Sequence, residues 1–428
     1  MTELGEFRAS VRDWCREHVP AGWRQAQTGV SDDEFVRFQR SWFAELRQAG
    51  YAVPHWPREW GGGMSTAEQA VLYSELAAHD APRLVLAFVA IHHAAATLLA
   101  AGTDEQRRRH LPAILDGEIW VQGFSEPEAG SDLASLRTTA RRDGDTYLVN
   151  GQKVWASGAL YADWCLLLAR TDPGAPKRHG ISYFLLDMRT PGIDVRPIRQ
   201  ATGESHFCEI FLRDVVVPAS QLVGPENEGW RVAQQTLAAE RGMTMLELAE
   251  RLGQAGFRWL TETCRRPSPG GRRPVDDDAV AGRLAELETE ITGLRALCRR
   301  LVDRHGEGPA DASIVKLYYS ELLQRMTDFG AEVAGLAAHA ELAKPASSGW
   351  ESGAWVLDFI GSWEWTIPGG TSEIQRTIIG ERGLGLPREG LGGRGGSAPR
   401  NQQSLPREGL GGRGGSAPRN QQSLPRGD

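Results

Sequence analysis

A glutamate in a long helical segment is the clearest candidate for acid–base chemistry. Glu240 lies in the run QQTLAAERGMTMLELAERLGQ, and no lysine or arginine stands three or four residues away on either side. Ala233, Leu237, Thr244 and Leu248 share its stripe at helical spacing, and all are apolar or small. Burial of such a stripe desolvates a carboxylate, raises its pKa and makes it a competent base. The alternative is an ordinary solvated helix glutamate.

Two other features of the sequence bear on this candidate. Glu247 lies on nearly the same helix face, but Arg251 follows four residues later and offers it a salt bridge. Far downstream, the segment WTIPGGTSEIQR at 365–376 predicts a polar loop that leads into a helix. Residues 368–371 of that loop contain no acid, base or nucleophile. If the loop belongs to an active site, its reactive group comes from elsewhere in the chain.

Composition places the chain among ordinary globular proteins. The 428 residues are 41% apolar and 24% charged, with a net charge of -7, which gives no electrostatic reason to expect nucleic acid. Five scattered cysteines lack metal-ligand spacing, so we expect reduced thiols, no metal and a cytoplasmic location. The apolar run from Leu84 contains His92 and His93, which favours a buried helix over a membrane span.

The order of hydrophobic periods predicts the architecture. Helical periodicity holds over 1–117, β-type alternation over 118–224, and helical periodicity again over 225–388. The tail, 389–428, is predicted to be disordered, because a 19-residue sequence beginning at Leu386 repeats at Leu405 with little to bury. Asn150-Gly151 predicts a hairpin turn in the β region. These four domains make the fold class α+β.

Helix-start signals support the N-terminal helices. Ser65 with Glu68 three residues later forms a capping-box pattern, and Thr103 is a cap for another short helix. Between these lie the apolar helical segments expected of a bundle.

Several motifs together resemble one known family. GYAVPHWPREWGGG, GFSEPEAGSDLASLRTTA, NGQKVWASG, LVGPENEGW and GGTSEIQRTIIGERGLGLPR stand in this order along the chain. They are similar to the signatures of the acyl-CoA dehydrogenases, flavoproteins that desaturate acyl thioesters in fatty acid or lipid metabolism. The resemblance extends to about residue 388. It implies an N-terminal helical domain, a middle β-barrel or sandwich domain and a C-terminal four-helix bundle.

The resemblance also implies a site for FAD. Phe124 and Ser125 match positions that line the flavin ring, Trp155 matches the tryptophan that flanks it, and Ser157 matches a hydroxyl near flavin N5. Ser131 matches a serine that contacts bound substrate or cofactor. From the C-terminal domain, Thr371 and Glu373 match two further flavin contacts. Neutral donors and an aromatic neighbour are what an isoalloxazine ring requires.

The catalytic base is the plainest departure from the common family pattern. Many members carry a glutamate immediately before the GT of the late loop, where this chain has Gly369. Other members carry it on the first long helix of the C-terminal domain, just before an arginine, and Glu240-Arg241 stand at that place. The resemblance therefore implies Glu240 as the base and Arg241 as support for the substrate site, the alternative for Arg241 being a surface charge. The backbone N–H of Gly369 remains available to polarise the thioester carbonyl.

The sequences that grip the adenine end of FAD in the family are weak here, at CRRPSPGGRR and FGAEVAGLAAHAEL. Because those grips act across a subunit interface, a homotetramer, a homodimer and a heterotetramer with a related subunit all stay open. The expected activity is FAD-dependent conversion of an acyl-CoA or acyl-carrier thioester to its trans-2-enoyl form. The expected electron acceptor is an electron-transfer flavoprotein. The alternatives are a non-catalytic partner subunit and a flavin monooxygenase of the same fold.

Overall fold

The computed structural model describes residues 2–240, 243–268, 270–303, 310–339 and 342–387. For residues 238–240, 243, 244, 302 and 303 it describes the backbone alone. The described chain up to Leu386 forms one packed unit. The predicted disordered tail, 389–428, lies outside the described residues.

The N-terminal region is helical, as its periodicity predicts. Capping boxes begin the helices at Ser31, Ser65 and Thr103, so the last two of these starts confirm the sequence signals. Within the segment that follows Leu84, the chain forms a π-helix and then an α-helix, and none of the described helices is long and apolar enough to cross a membrane. The elements are α1 (Glu3–His18), α2 (Trp23–Ala26), α3 (Asp32–Gln48), α4 (Thr66–Ala78), the π-helix Val89–Ala94, α5 (Ala95–Ala101) and α6 (Asp104–Leu115).

The middle region is one seven-stranded sheet. Its strands are β1 (Trp120–Gly123), β2 (Thr139–Asp143), β3 (Thr146–Ser157), β4 (Trp164–Arg170), β5 (Ile181–Asp187), β6 (Ile193–Ile198) and β7 (Phe207–Pro218). The order across the sheet is β1-β4-β2-β3-β7-β6, and β5 pairs with β4. The pairing of β1 with β4 is parallel, whereas β3 runs antiparallel to β7 along most of its length.

The hairpin predicted at Asn150-Gly151 is wrong. β3 continues through these two residues without a turn, and the two-residue turn lies instead at Gly144-Asp145, between β2 and β3. Asn150 lies at a register shift between β3 and β7. Its side chain donates to the Asp214 carboxylate at 3.0 Å and accepts from the Asp214 N–H at 2.8 Å. Gly151 allows close approach, since a Cβ there would come within 2.4 Å of Thr138. The Asn-Gly pair therefore shapes a bulge.

Alternation along β4 sends side chains into two different cores. Leu166 and Leu168 pack with the N-terminal helices, while Cys165 and Leu167 pack in a second core formed by the sheet itself. All five cysteines are free and buried. The sheet is thus covered on one face by the helical region, which fixes the end of β1 against the neighbouring helices.

The C-terminal region returns to helices. They are α7 (Gly229–Glu240), α8 (Met243–Arg251), the π-helix Leu252–Gly256, α9 (Phe257–Arg265), α10 (Asp278–Asp303), α11 (Asp311–Ala334), α12 (Trp355–Ser362), α13 (Ser372–Ile378) and the π-helix Ile379–Gly383. A separate core of leucines and aromatic residues joins α8, α10 and α11. Helical N- and C-terminal regions around a middle sheet domain confirm the predicted fold class.

Candidate functional site

The segment after β1 is bound to β3 beside Trp155. The Phe124 carbonyl accepts a hydrogen bond from the Lys153 ammonium at 3.1 Å, and the Ser125 carbonyl accepts one from the Val154 N–H at 3.0 Å. Phe124, Ser125 and Trp155, three of the predicted flavin contacts, therefore lie on hydrogen-bonded neighbouring backbones. Ser157 ends the same strand.

A buried ion pair fixes this arrangement. Lys153 is fully buried, and its ammonium lies 2.8 Å from the Glu126 carboxylate. Glu126 also accepts from the backbone N–H groups of Arg137 and Thr138, at 2.6 and 2.8 Å. Burial alone would raise the pKa of Glu126, but the Lys153 charge and these donors hold that pKa below its ordinary value. The segment following β1 is thus tied to β3 and to the start of β2.

Sequence reasoning missed this pair. A lysine in the strand-like run NGQKVWAS is the signal available, because a charged residue that points into a core requires a partner. The partner is 27 residues away and cannot be identified from spacing.

Trp155 stands in an unusual conformation on the sheet surface. Its φ is 62°, in the left-handed region, and it lies within a register shift between β3 and β7. Its side chain is 58% exposed, with one ring contact to Phe207 at 6.0 Å. A bulky residue with positive φ is rare and costs conformational energy, which makes the position a candidate site. The bulge re-aims the indole away from the core.

The hydroxyl groups nearby are available to a ligand. Within the described chain, neither Ser125 nor Ser157 uses its side chain in a hydrogen bond to another residue, and Ser157 is exposed. An exposed indole with two uncommitted hydroxyls fits the neutral surroundings that a flavin ring requires. These residues would contact FAD, which supplies hydride acceptance when bound.

Of two other predicted contacts, Phe124 is buried and Ser131 is exposed. Phe124 is 5% exposed, and its ring packs edge-on against Tyr183 at 5.7 Å, so its side chain belongs to the core. Ser131 is exposed on the loop that follows Glu126. Their roles toward cofactor and substrate stay predictions.

The late loop, residues 368–371, is held from two sides. The Lys316 ammonium on α11 donates to the Gly370 carbonyl at 2.7 Å. The Gln375 amide of α13 donates to the carbonyls of Gly369 and Gly370, at 2.8 and 3.1 Å. Thr371 begins α13 as its cap, accepting from the Ile374 N–H at 3.3 Å. The loop is thus a fixed platform ahead of α13.

The backbone explains why glycine suits position 369. Its φ is 64°, in the left-handed region that glycine adopts without strain and a glutamate would not. Glu373, the other predicted contact here, is exposed, and hydrogen bonds at the start of α13 lower the pKa of its carboxylate. No acid stands in the loop itself.

The structure describes only the setting of the proposed base. α7 ends at Glu240, whose side chain is not described, and Arg241 lies outside the described residues. One turn earlier, the Thr236 hydroxyl is buried and lies 2.6 Å from that of Thr97 on α5 and 3.3 Å from that of Tyr183 on β5. This contact holds α7 against both neighbours. The pair predicted between Glu247 and Arg251 is confirmed, at 3.0 Å.

The predicted residues therefore form two groups. One joins Phe124, Ser125, Trp155 and Ser157 on the sheet; the other joins Gly369, Thr371 and Glu373 ahead of α13. Within the described part of the chain, no hydrogen bond connects the first group to the second. A ligand that touches both groups stays a prediction.

Comparison with known proteins identifies the family. Three family models match: acyl-CoA dehydrogenase N-terminal domain over residues 2–118, middle domain over 122–215 and C-terminal domain over 227–384. The acyl-CoA dehydrogenase IpdE1 of Mycobacterium tuberculosis is 38% identical over 405 residues, covering 92% of this chain and 100% of that protein.

Solved structures give the same assignment. The ChsE4-ChsE5 complex from Mycobacterium tuberculosis matches with a TM-score of 0.76 and 32% identity, over 91% of this chain and 99% of the other. The Tcur3481-Tcur3483 steroid ACAD matches with a TM-score of 0.75 and 30% identity, over 90% and 98%. The chain belongs to the acyl-CoA dehydrogenase family, enzymes that act on CH–CH donors with FAD as cofactor.

Proposed function

We propose that this enzyme converts an acyl thioester to its trans-2-enoyl thioester, with Glu240 as the base. The observation that carries the proposal is the late loop, where a left-handed glycine at 369 leaves the site without a carboxylate. Helix α7, packed against α5 and β5 through Thr236, ends at Glu240. A carboxylate in a water-excluded pocket has a raised pKa and takes a proton readily.

Each residue then has a defined task. Glu240 takes the proton from the α-carbon, and the backbone N–H of Gly369 donates to the thioester carbonyl, which stabilises the negative charge that develops there. Arg241 supports the packing of the substrate site. FAD would be held by Ser125, Trp155, Ser157, Thr371 and Glu373. Phe124 would pack behind Ser125, and Ser131 would contact substrate or cofactor. Bound FAD would supply the acceptor for the β-hydride, and the electrons would pass to an electron-transfer flavoprotein.

Two solved relatives suggest the substrate and the assembly. One carries the description steroid ACAD, and the other is a complex of two different proteins, ChsE4 and ChsE5. By this likeness we propose a ring-bearing, steroid-type acyl thioester and a heteromeric assembly with a related subunit. The weak adenine-end sequences support the second point, because a partner subunit would supply that contact. Five free buried cysteines support a cytoplasmic location.

A second candidate follows from the same weak sequences. A chain that cannot hold the adenine half of FAD would serve as the non-catalytic subunit of such a complex. The two candidates differ in whether this chain's own Glu240 is needed for turnover.

Anaerobic titration with a panel of acyl-CoA thioesters tests the proposal, with flavin absorbance as the readout. Wild-type protein, purified with any partner subunit, is expected to bleach. Glu240→Gln should keep its FAD yet react about 10²–10⁴-fold more slowly, since it loses the general base.

Glu228→Gln is the matched control at the exposed start of α7, where Glu228 pairs with Arg231. It should react at the wild-type rate. A Glu240→Gln complex that bleaches normally would exclude Glu240 as the base and favour the non-catalytic role for this chain.

A further inference from the structure

A small cavity lies between the N-terminal helices and α8. Its volume is about 40 Å³, enough for a few water-sized groups. Most of the wall is apolar or aromatic, and one side carries three charged groups, Arg83, Glu247 and Arg251. Buried charges inside an apolar wall need partners, and the identity of those partners shows what the cavity can still bind.

Two of the three charges satisfy one another. The Arg251 guanidinium lies 3.0 Å from the Glu247 carboxylate and also donates to the Ala81 carbonyl at 2.8 Å. Arg251 is nearly buried, with a side-chain exposure of 7%. This pair forms a fixed, neutral side of the cavity.

Arg83 is different. Its backbone is fixed, since its N–H donates to the Ser347 carbonyl at 2.9 Å and its carbonyl accepts from the Gln39 amide at 2.7 Å. Its guanidinium, however, donates no hydrogen bond to any residue that the structure describes. Because Arg83 lines the cavity, donors of its guanidinium are thus left for a ligand or for water there.

The charge of Arg83 is balanced from a distance. The buried Glu351 carboxylate stands near it beside Gly349, beyond ion-pair contact. Burial opposes the charge, but Glu351, Glu247 and other groups outweigh that effect and raise the pKa of Arg83. With these carboxylates already present, a second anion would be repelled. A neutral oxygen acceptor suits the guanidinium better than a carboxylate.

Sequence position and helix packing both connect the cavity with the helix that carries the proposed base. Glu247 follows Glu240 by seven residues. The π-helix Val89–Ala94, which contributes Ile91 and His92 to the wall, packs against α7, the helix that ends at Glu240. The wall of the cavity is thus formed in part by a helix that packs against the helix of the proposed base.

We infer that this cavity receives a neutral oxygen, a ketone or hydroxyl, at the end of the acyl group remote from the thioester, with Arg83 as the hydrogen-bond donor. The inference rests on the proposed function. It makes Arg83 a specificity-determining residue: the site accepts the oxygenated acyl group and discriminates against the hydrocarbon one, whose binding leaves the buried donors unsatisfied.

Two acyl-CoA substrates test this directly: a medium-chain thioester with a ketone near its far end, and the unsubstituted thioester of the same length. Wild-type enzyme is expected to prefer the ketone by about 10–100-fold in kcat/KM. Arg83→Met should reduce that preference to about onefold, mainly because kcat/KM for the ketone substrate falls. Arg83→Lys, which keeps the charge and some donors, should retain part of it.

Controls separate specificity from folding and from chemistry. FAD content and Tm of each variant report folding. A third thioester, with a carboxylate at its far end, should be a poorer substrate than both the ketone and the unsubstituted thioester. An Arg83→Met enzyme that slows equally on ketone and hydrocarbon, or keeps its preference, would overturn the inference.

If no thioester reduces the wild-type flavin, the proposed function fails by itself. Calorimetric binding of non-oxidisable analogues of the same two thioesters then still compares wild type with Arg83→Met. Equal loss of affinity for both analogues would overturn the role of Arg83 in that case, and selective loss for the ketone would support it.

Discussion

The segment after β1 and the late loop each accept a hydrogen bond from a buried lysine, but the lysines reach different acceptor groups. Lys153 is 0% exposed and pairs with a carboxylate, Glu126, at 2.8 Å. Lys316 is 4% exposed and donates to a backbone carbonyl, that of Gly370, at 2.7 Å. The printed acceptor differs between the two: a carboxylate at Lys153 and a peptide carbonyl at Lys316.

The difference shows how each region tolerates loss of its lysine. Removal of Lys153 leaves a buried carboxylate without its cation, which is strongly unfavourable. The Gly370 carbonyl, by contrast, also accepts from the Gln375 amide at 3.1 Å, so it keeps a donor when Lys316 is removed. We therefore expect the sheet region to behave as a rigid mount and the late loop as a platform that can shift without unfolding the chain.

The largest effect is expected at the ion pair. Lys153→Met should lower the free energy of unfolding by about 3–5 kcal/mol, because Glu126 stays buried and uncompensated. The double variant with Glu126→Gln should recover much of that loss. Urea unfolding measures both.

Lys177→Met is the matched control, since Lys177 pairs with Asp132 on the surface, where its side chain is 61% exposed. It should cost less than about 1 kcal/mol. Equal costs at Lys153 and Lys177 would contradict the view that the buried pair anchors this region.

A smaller effect is expected at the late loop. Lys316→Met should lower the free energy of unfolding by about 1.5–3 kcal/mol, the range for a hydrogen bond from a charged donor. The rate of flavin reduction should also fall, and the increase in its activation free energy should exceed the loss in the free energy of unfolding, because the Gly369 N–H is displaced.

Arg325→Met on the same helix α11, where Arg325 pairs with Glu290 at the surface, is the control. It should leave the reduction rate unchanged. A Lys316→Met enzyme with unaltered kinetics would remove the loop from the catalytic platform.

The pH dependence of stability should have opposite signs in the two regions. Glu126 has a lowered pKa in the folded chain, so its contribution is present above about pH 4.3 and is lost as the pH falls below it. Asp358, on α12 ahead of the late loop, is fully buried, and burial raises its pKa to about 7. Its contribution is therefore present below about pH 3.9 and is lost as the pH rises toward about 7.

Each group changes the unfolding free energy by at most about 1.4 kcal/mol per pH unit. Denaturant titrations at a series of pH values should show Asp358→Asn flattening the profile between about pH 4 and 7, and Glu126→Gln flattening it only below about pH 4. A profile in Asp358→Asn that matches wild type would mean that this carboxyl stays ionised throughout.

The smallest change in stability is expected at Trp155. Trp155→Gly removes the strain of a left-handed backbone, which stabilises the folded chain by about 1–2 kcal/mol. Glycine also makes the unfolded chain more flexible, which lowers the free energy of unfolding by about 0.5–1 kcal/mol. The apoprotein should stay within about 1 kcal/mol of wild type, while FAD retained through gel filtration should fall several-fold.

Val216→Gly, at an exposed position of β7, is the control for loss of a surface side chain on the same sheet. It should leave FAD content unchanged. Full FAD retention in Trp155→Gly would show that the indole is not a cofactor contact.

Local spacing was sufficient for several features. These are the capping box at Ser65, the cap at Thr103 and the pair between Glu247 and Arg251, which depend on residues three or four positions apart at one helix. The order of helical and β periods likewise predicted the three regions. These signals are readable because both partners lie within one or two turns of the same element.

Spacing failed where a local signal had two structural uses. Asn150-Gly151 predicts a hairpin by itself, but β7 pairs with β3 on both sides of these residues and turns them into a bulge. The choice depends on a strand more than 50 residues away, as the Asn150–Asp214 contact shows, with a separation of 64.

The sequence by itself determined the family, the order of helices and sheet, and the absence of an acid in the late loop, because motifs and periodicity are local. Only the tertiary structure decided how those parts are held. Lys153 meets Glu126 across 27 residues, and Lys316 meets Gly370 across 54. The strained conformation of Trp155 and the uncommitted guanidinium of Arg83 likewise arise from packing between distant segments, which no spacing along the chain records.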